Sequence, residues 1–210
     1  MDQQQNAEEH LRVIRNLMER ATTYRAISAP TALVGGLLAL VVSVFADEGN
    51  AARFVLSWLF VLLVTLGANT WFIWRKATRE DGTIFSAGLR LAIWSALPVV
   101  LLASVLTAVI WYGDGAQPIS VLIATFWVLF YALALLSTAT FAPGSLILLG
   151  WCFLVTGVFA LLVAFGAWKP SLNRPAELMM GLTFGVYHLI YAACTWPRKR
   201  VTANDQFAAE

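Results

Sequence analysis

Six apolar runs separated by short polar breaks dominate the chain, at about Pro30 to Ala46, Phe54 to Trp74, Leu89 to Tyr112, Pro118 to Ser137, Ser145 to Trp168 and Ala176 to Trp196. Each approaches the roughly 20 residues that a hydrocarbon core of about 30 Å requires of a helix. Their continuity excludes barrel strands, which would alternate apolar and polar positions over about ten residues. The pattern therefore predicts an all-α polytopic membrane bundle of six transmembrane helices.

Ahead of the first run the period changes. Leu11, Ile14, Met18 and Ala21 recur at three- and four-residue spacing, with Leu17 and Tyr24 beside the stripe, which predicts an amphipathic helix. Opposite lie Glu8, Glu9, Arg12, Arg15, Glu19, Arg20 and Arg25, with Glu8 and Arg12 in the favourable i,i+4 order. A face of mixed charge suits docking on the bundle or on a protein better than floating on anionic lipid. Leu11, Ile14, Met18 and Ala21 are thus a candidate partner face. The organisation expected is an amphipathic helix over 1–27, a six-helix domain over 28–197, and a basic end with a disordered tail over 198–210.

Composition fits this reading. With 60% hydrophobic and 12% charged residues and a mean hydropathy of +0.73, the chain is expected to have the lipid bilayer as its solvent. The polar start, Met1 to Arg25, does not read as a cleavable signal peptide. Eleven Lys and Arg fall on the side of the leader, of the loop after Trp74 and of the chain end, against Arg53, Lys169 and Arg174 on the other. Such a bias predicts that both termini are cytoplasmic. Three short outer loops, ADEGNAAR, YGDGAQP and KPSLNRPAE, leave no room for an outer domain.

Trp58, Trp71, Trp74, Trp111, Tyr112, Trp168 and Trp196 fall near span ends and are read as interfacial anchors. The uncharged stretch Ser137 to Ser145 reads as a tight turn ended by Pro143 and Gly144 rather than a ligand-lining loop. Ala29-Pro30 and Ala142-Pro143 each open a span whose successor ends in Trp and a basic pair, an echo that a duplicated hairpin would produce.

Little in the spans carries chemistry. The acids are assigned to the leader, the loops and the tail, which argues against a proton-driven antiporter, a voltage sensor and a carboxylate-based hydrolase. Weakly polar groups gather on the cytoplasmic side: Asn69, Ser95, Cys152, Tyr187, His188 and Tyr191 form a candidate polar pocket, with Pro98 as a kink. The competing reading is that they join helix to helix by hydrogen bonds. Cys152 and Cys194 lie within apolar runs and are expected as buried thiols.

His10 and His188 cannot easily meet on one haem, and only His188 and Cys152 share a level, so no metal or cofactor is expected. Gly181 and Gly185 make a G-x-x-x-G read as an internal helix contact in preference to a homo-oligomer interface, and Gly35-Gly36 is read the same way. No direct contact with nucleic acid is expected.

The leader Leu11-Arg12-Val13-Ile14-Arg15 with Met18-Glu19-Arg20-Ala21, and the last-helix run Gly181-Leu182-Thr183-Phe184-Gly185-Val186-Tyr187-His188, resemble the two ends of a group of uncharacterised bacterial six-helix membrane proteins. The resemblance implies the same topology, a bacterial inner (cytoplasmic) membrane, and a signalling or regulatory setting beside winged-helix transcription regulators. It implies no ligand. The expected function is a non-catalytic membrane protein acting in sensing, regulation or scaffolding through its cytoplasmic helix and a protein partner. The alternatives are a transporter or channel for a neutral solute, and an intramembrane enzyme using His188 and Cys152.

Overall fold

A computed structural model describes residues 28–46, 49–79, 87–112, 119–140, 142–165 and 172–196, the side chains of 76, 77, 79 and 87–89 excepted. The leader with its face of Leu11, Ile14, Met18 and Ala21, and the basic chain end, lie outside the described residues. What is described is helical: α1 (Ala29–Phe45), α2 (Ala51–Arg79), α3 (Ala87–Tyr112), α4 (Ile119–Ser137), α5 (Gly144–Ala164) and α6 (Pro175–Thr195). Five of them are long and apolar enough to cross a membrane, and α1 is a shorter apolar helix. The chain is an all-α membrane-spanning bundle.

Local chemistry sets the helix starts. Ser28 precedes α1, and its hydroxyl accepts the Thr31 N–H at 3.3 Å, with Pro30 in the first turn where a missing N–H costs nothing. Pro143 stands in the same place before α5, and the Thr138 and Ala142 amides bond back to Leu135 and Thr138, closing the α4–α5 connection as a compact turn.

The helices are not equal partners. α1 packs along α6 and on α2, α5 packs chiefly on α4, and α3 joins the bundle through α4. Ala92 is the one buried side chain described on α3, so the rest of its apolar surface is left for lipid. The two hairpins of the sequence echo, α1–α2 and α5–α6, each have helices that adjoin, although α1 packs more extensively along α6 and α5 on α4.

Small residues decide the closest approach. A Cβ at Gly185 would lie 2.6 Å from Leu40 Cδ2, one at Gly181 2.6 Å from Ser43 Oγ, and one at Gly36 3.1 Å from the Gly185 carbonyl. The G-x-x-x-G of α6 is thus an internal contact with α1, of the kind that lets helices associate where no hydrophobic force separates lipid from side chain. Over Gly181–Tyr187 the α6 backbone widens to π-helical pairing before returning to α-helix at His188.

Candidate functional site

Aromatic rings fill the centre of the bundle. Tyr131 of α4, Phe153 of α5, and Phe184 and His188 of α6 meet with ring centres 4.8 to 6.1 Å apart. Phe184 also meets Trp58 at 6.3 Å, which continues through Phe54 to Trp127. An unbroken row of rings therefore crosses the bundle from α4 through α2 to α6 and back to α4 and α5.

His188 sits in this row and is 7% exposed. Its Nδ1 lies 3.4 Å from the Thr183 carbonyl, and its Nε2 2.8 Å from the Tyr131 hydroxyl. A carbonyl can only accept, so Nδ1 carries the proton and Nε2 accepts from Tyr131. The π-helical turns put the Thr183 carbonyl beside the ring that follows them, and π-helical segments recur at functional positions.

The other candidate pocket residues are distributed around this centre. Tyr187 turns away from His188, and its hydroxyl lies 2.8 Å from that of Thr156 on α5. With Trp151, Cys152 and Val155 these two line a shallow depression of about 320 Å³ on the bundle surface. Tyr191 is buried one turn beyond His188. Asn69 is elsewhere, on α2, accepting from the Thr31 hydroxyl of α1 at 3.1 Å. Ser95 bonds the Ala92 carbonyl of its own helix, on the peripheral α3. The structure brings together His188 and Tyr191 in the interior and Cys152 and Tyr187 at the surface depression, and it leaves Asn69 and Ser95 apart.

Three expectations are corrected. Cys152 and Cys194 are exposed rather than buried, because both fall on the outward faces of their helices, where an apolar run gives no sign of direction. Trp58 is not an interfacial anchor: it is 4% exposed and directed inward, between Phe54 and Phe184. Not every acid stays in a loop or tail. Glu177, in the first turn of α6, is 1% exposed, and its Oε2 accepts the Trp58 indole N–H at 3.2 Å.

Arg174 is the second residue that sequence reasoning passed over. It precedes α6 in the left-handed conformation, φ 56° and ψ 56°, a non-glycine arrangement that costs about 1–2 kcal/mol. Its guanidinium donates to the carbonyls of Ser43, Val44 and Ala46, groups at the end of α1 that have no partner within that helix. Two side chains at one helix start thus fix two neighbours: Arg174 holds the end of α1, and Glu177 holds Trp58 of α2. The signal for both was the string Arg174-Pro175-Ala176-Glu177, a proline at the first helical position with an acid placed to face the positive end of the helix dipole.

Among the described residues no group of three or more His, Cys, Asp or Glu side chains could hold a metal ion. Comparison with known proteins finds no matching family model, no matching curated protein and no matching solved structure. The fold and geometry define a membrane-spanning helical bundle with an aromatic interior and interhelical polar bonds.

Proposed function

We propose that this chain is a non-catalytic bacterial inner-membrane protein that acts in sensing or regulation, its bundle serving as a platform for cytoplasmic segments that engage a protein partner. The observation that carries this reading is how the interior polar groups are used. Tyr131 bonds to His188, Trp58 to Glu177, Thr31 to Asn69 and Trp127 to Thr107, each joining two helices, while rings fill the space between them. Polar groups consumed in this way hold helices together. The bias of eleven Lys and Arg against three supports cytoplasmic termini, and with them the basic loop and the leader on the partner's side. Resemblance of the leader and last helix to a bacterial six-helix group supports the membrane and the regulatory setting.

Photo-crosslinking residues placed at Leu11 and Met18 in living cells test the proposal. The expected result is one identified cytoplasmic protein, whose activity changes when residues 1–25 are deleted. An unchanged set of captured proteins and unchanged partner activity after that deletion overturn it. Solute uptake by protein-containing liposomes would favour a transporter instead.

A further inference from the structure

Glu177 poses a question that helix joining alone does not answer. An amide or hydroxyl could accept an indole N–H at a far smaller desolvation cost than a carboxyl group, and ionisable residues within membrane segments generally serve a charge-dependent task. A carboxyl group differs from an amide in one respect that matters here, since it can take up and release a proton. Glu177 stands in the first turn of α6, at the positive end of the helix dipole, and the Trp58 indole N–H donates to its Oε2.

The neighbouring elements are simple in charge. The described length of α1 has no titratable side chain, and that of α4 has Tyr131 alone. On α2 the nearest charge is the exposed Arg53, closer to the start of that helix than Trp58. On α6 it is Arg174, whose guanidinium is engaged with α1 carbonyls.

What Trp58 controls follows from where α2 is held. Its described buried side chains, Phe54, Trp58 and Val61, all lie between Ala51 and Val61, and the longer remainder exposes Leu62, Leu63, Leu66, Trp71 and Trp74. Beyond Val61 the described ties to α1 are the seating of Thr65 over Gly35 and the Asn69–Thr31 bond. Trp58 is therefore the central fastening of a helix that runs unbroken to Arg79.

We propose that Glu177 is a proton-binding site that sets how firmly α2 is fastened to α6. With the carboxylate ionised, Trp58 makes a charge-assisted bond. When one carboxyl oxygen takes up a proton from the aqueous phase the acceptor becomes neutral, the bond loses about half its strength, and the start of α2 loosens. The covalent structure is otherwise unchanged. This goes beyond the partner-binding reading and does not depend on it, because the site lies at the bundle end opposite Asn69 and is tested without any partner.

The test uses the full chain in lipid nanodiscs, where both faces share one pH. Two signals are followed through the range in which protein carboxyl groups titrate. One is the emission difference between wild type and Trp58→Phe. The other is hydrogen exchange of α2 between Ala51 and Val61, corrected for the intrinsic pH dependence of exchange. Acidification is expected to shift the Trp58 emission and to speed exchange there about tenfold, the difference between a charge-assisted and a neutral bond. Glu177→Gln is expected to show the acid values at every pH. Trp58→Phe, which keeps a ring in place without the N–H, is expected to exchange fast at every pH and provides the same decision if the glutamine variant does not fold. Emission and exchange that are flat with pH in wild type, or that titrate in Glu177→Gln or Trp58→Phe as they do in wild type, overturn the proposal.

Discussion

The Tyr131 hydroxyl lies 2.8 Å from Nε2 of His188, joining the middle of α4 to α6 at the point where α6 returns from π-helical to α-helical pairing. Removing the hydroxyl leaves a buried ring nitrogen without its donor. Interhelical hydrogen bonds in membrane proteins average about 0.6 kcal/mol and reach about 1.7 kcal/mol. Tyr131→Phe is therefore expected to destabilise the bundle by about 1 kcal/mol in equilibrium unfolding by denaturing detergent. A double-mutant cycle with His188→Phe, which keeps the ring volume, should return a coupling of the same size. Strictly additive effects would show that the rings hold this contact without help from the bond.

Close approach of α1 and α6 predicts a contrast between glycines. At Gly185 an added methyl meets Leu40 Cδ2 at 2.6 Å and Cγ at 2.8 Å, whereas at Gly67 nothing lies within 4 Å. Gly185→Ala should cost about 1–3 kcal/mol through overpacking. Gly67→Ala should be neutral or stabilise by up to about 1 kcal/mol, since alanine is the better helix former. Detergent unfolding of the two variants side by side measures both, and an equal response would refute the packing described for α6.

Arg174 combines a backbone cost with a side-chain gain, and substitutions can separate them. Arg174→Gly removes the guanidinium from the α1 carbonyls but also relieves the left-handed strain. Arg174→Ala loses the bonds and keeps the strain. The expected order of stability is wild type, then glycine, then alanine, with the last two about 1 kcal/mol apart. Thermal unfolding in lipid nanodiscs would show the order. Alanine as stable as glycine would mean that the strain is absorbed elsewhere.

The helices were legible in the sequence, but their faces were not. Apolar run length and continuity follow from the thickness of the membrane, and α5 and α6 at Gly144–Ala164 and Pro175–Thr195 start within a residue of the spans read from the sequence. Direction around a helix leaves no such trace in lipid, because the outward face is as apolar as the inward one. Trp58 and Trp71 obey the same end-of-span rule, yet the first is buried and the second exposed. Glu177 was assigned to a loop for a related reason: it stands at the edge of an apolar run, and only the fold shows that Trp58 reaches it. Of the candidate pocket, His188 was recognisable as a polar group at depth, whereas its partner Tyr131 was one aromatic among many until α4 and α6 were placed together.

Adjacent residues on α5 allow the direction of a helix face to be tested in one experiment. Cys152 is exposed and faces the surface depression, while Phe153 is fully buried against Tyr131 and Phe184. Cys152→Leu adds apolar surface on the lipid side and should leave stability within about 0.5 kcal/mol of wild type. Phe153→Ala empties the meeting point of four rings and should cost about 3–5 kcal/mol, because the surrounding aromatics cannot collapse fully into the space. Unfolding midpoints of the two variants decide it. The cysteine variant tests the exposed face most directly, since a thiol packed inside the bundle could not be enlarged to leucine without a cost of about 1–3 kcal/mol.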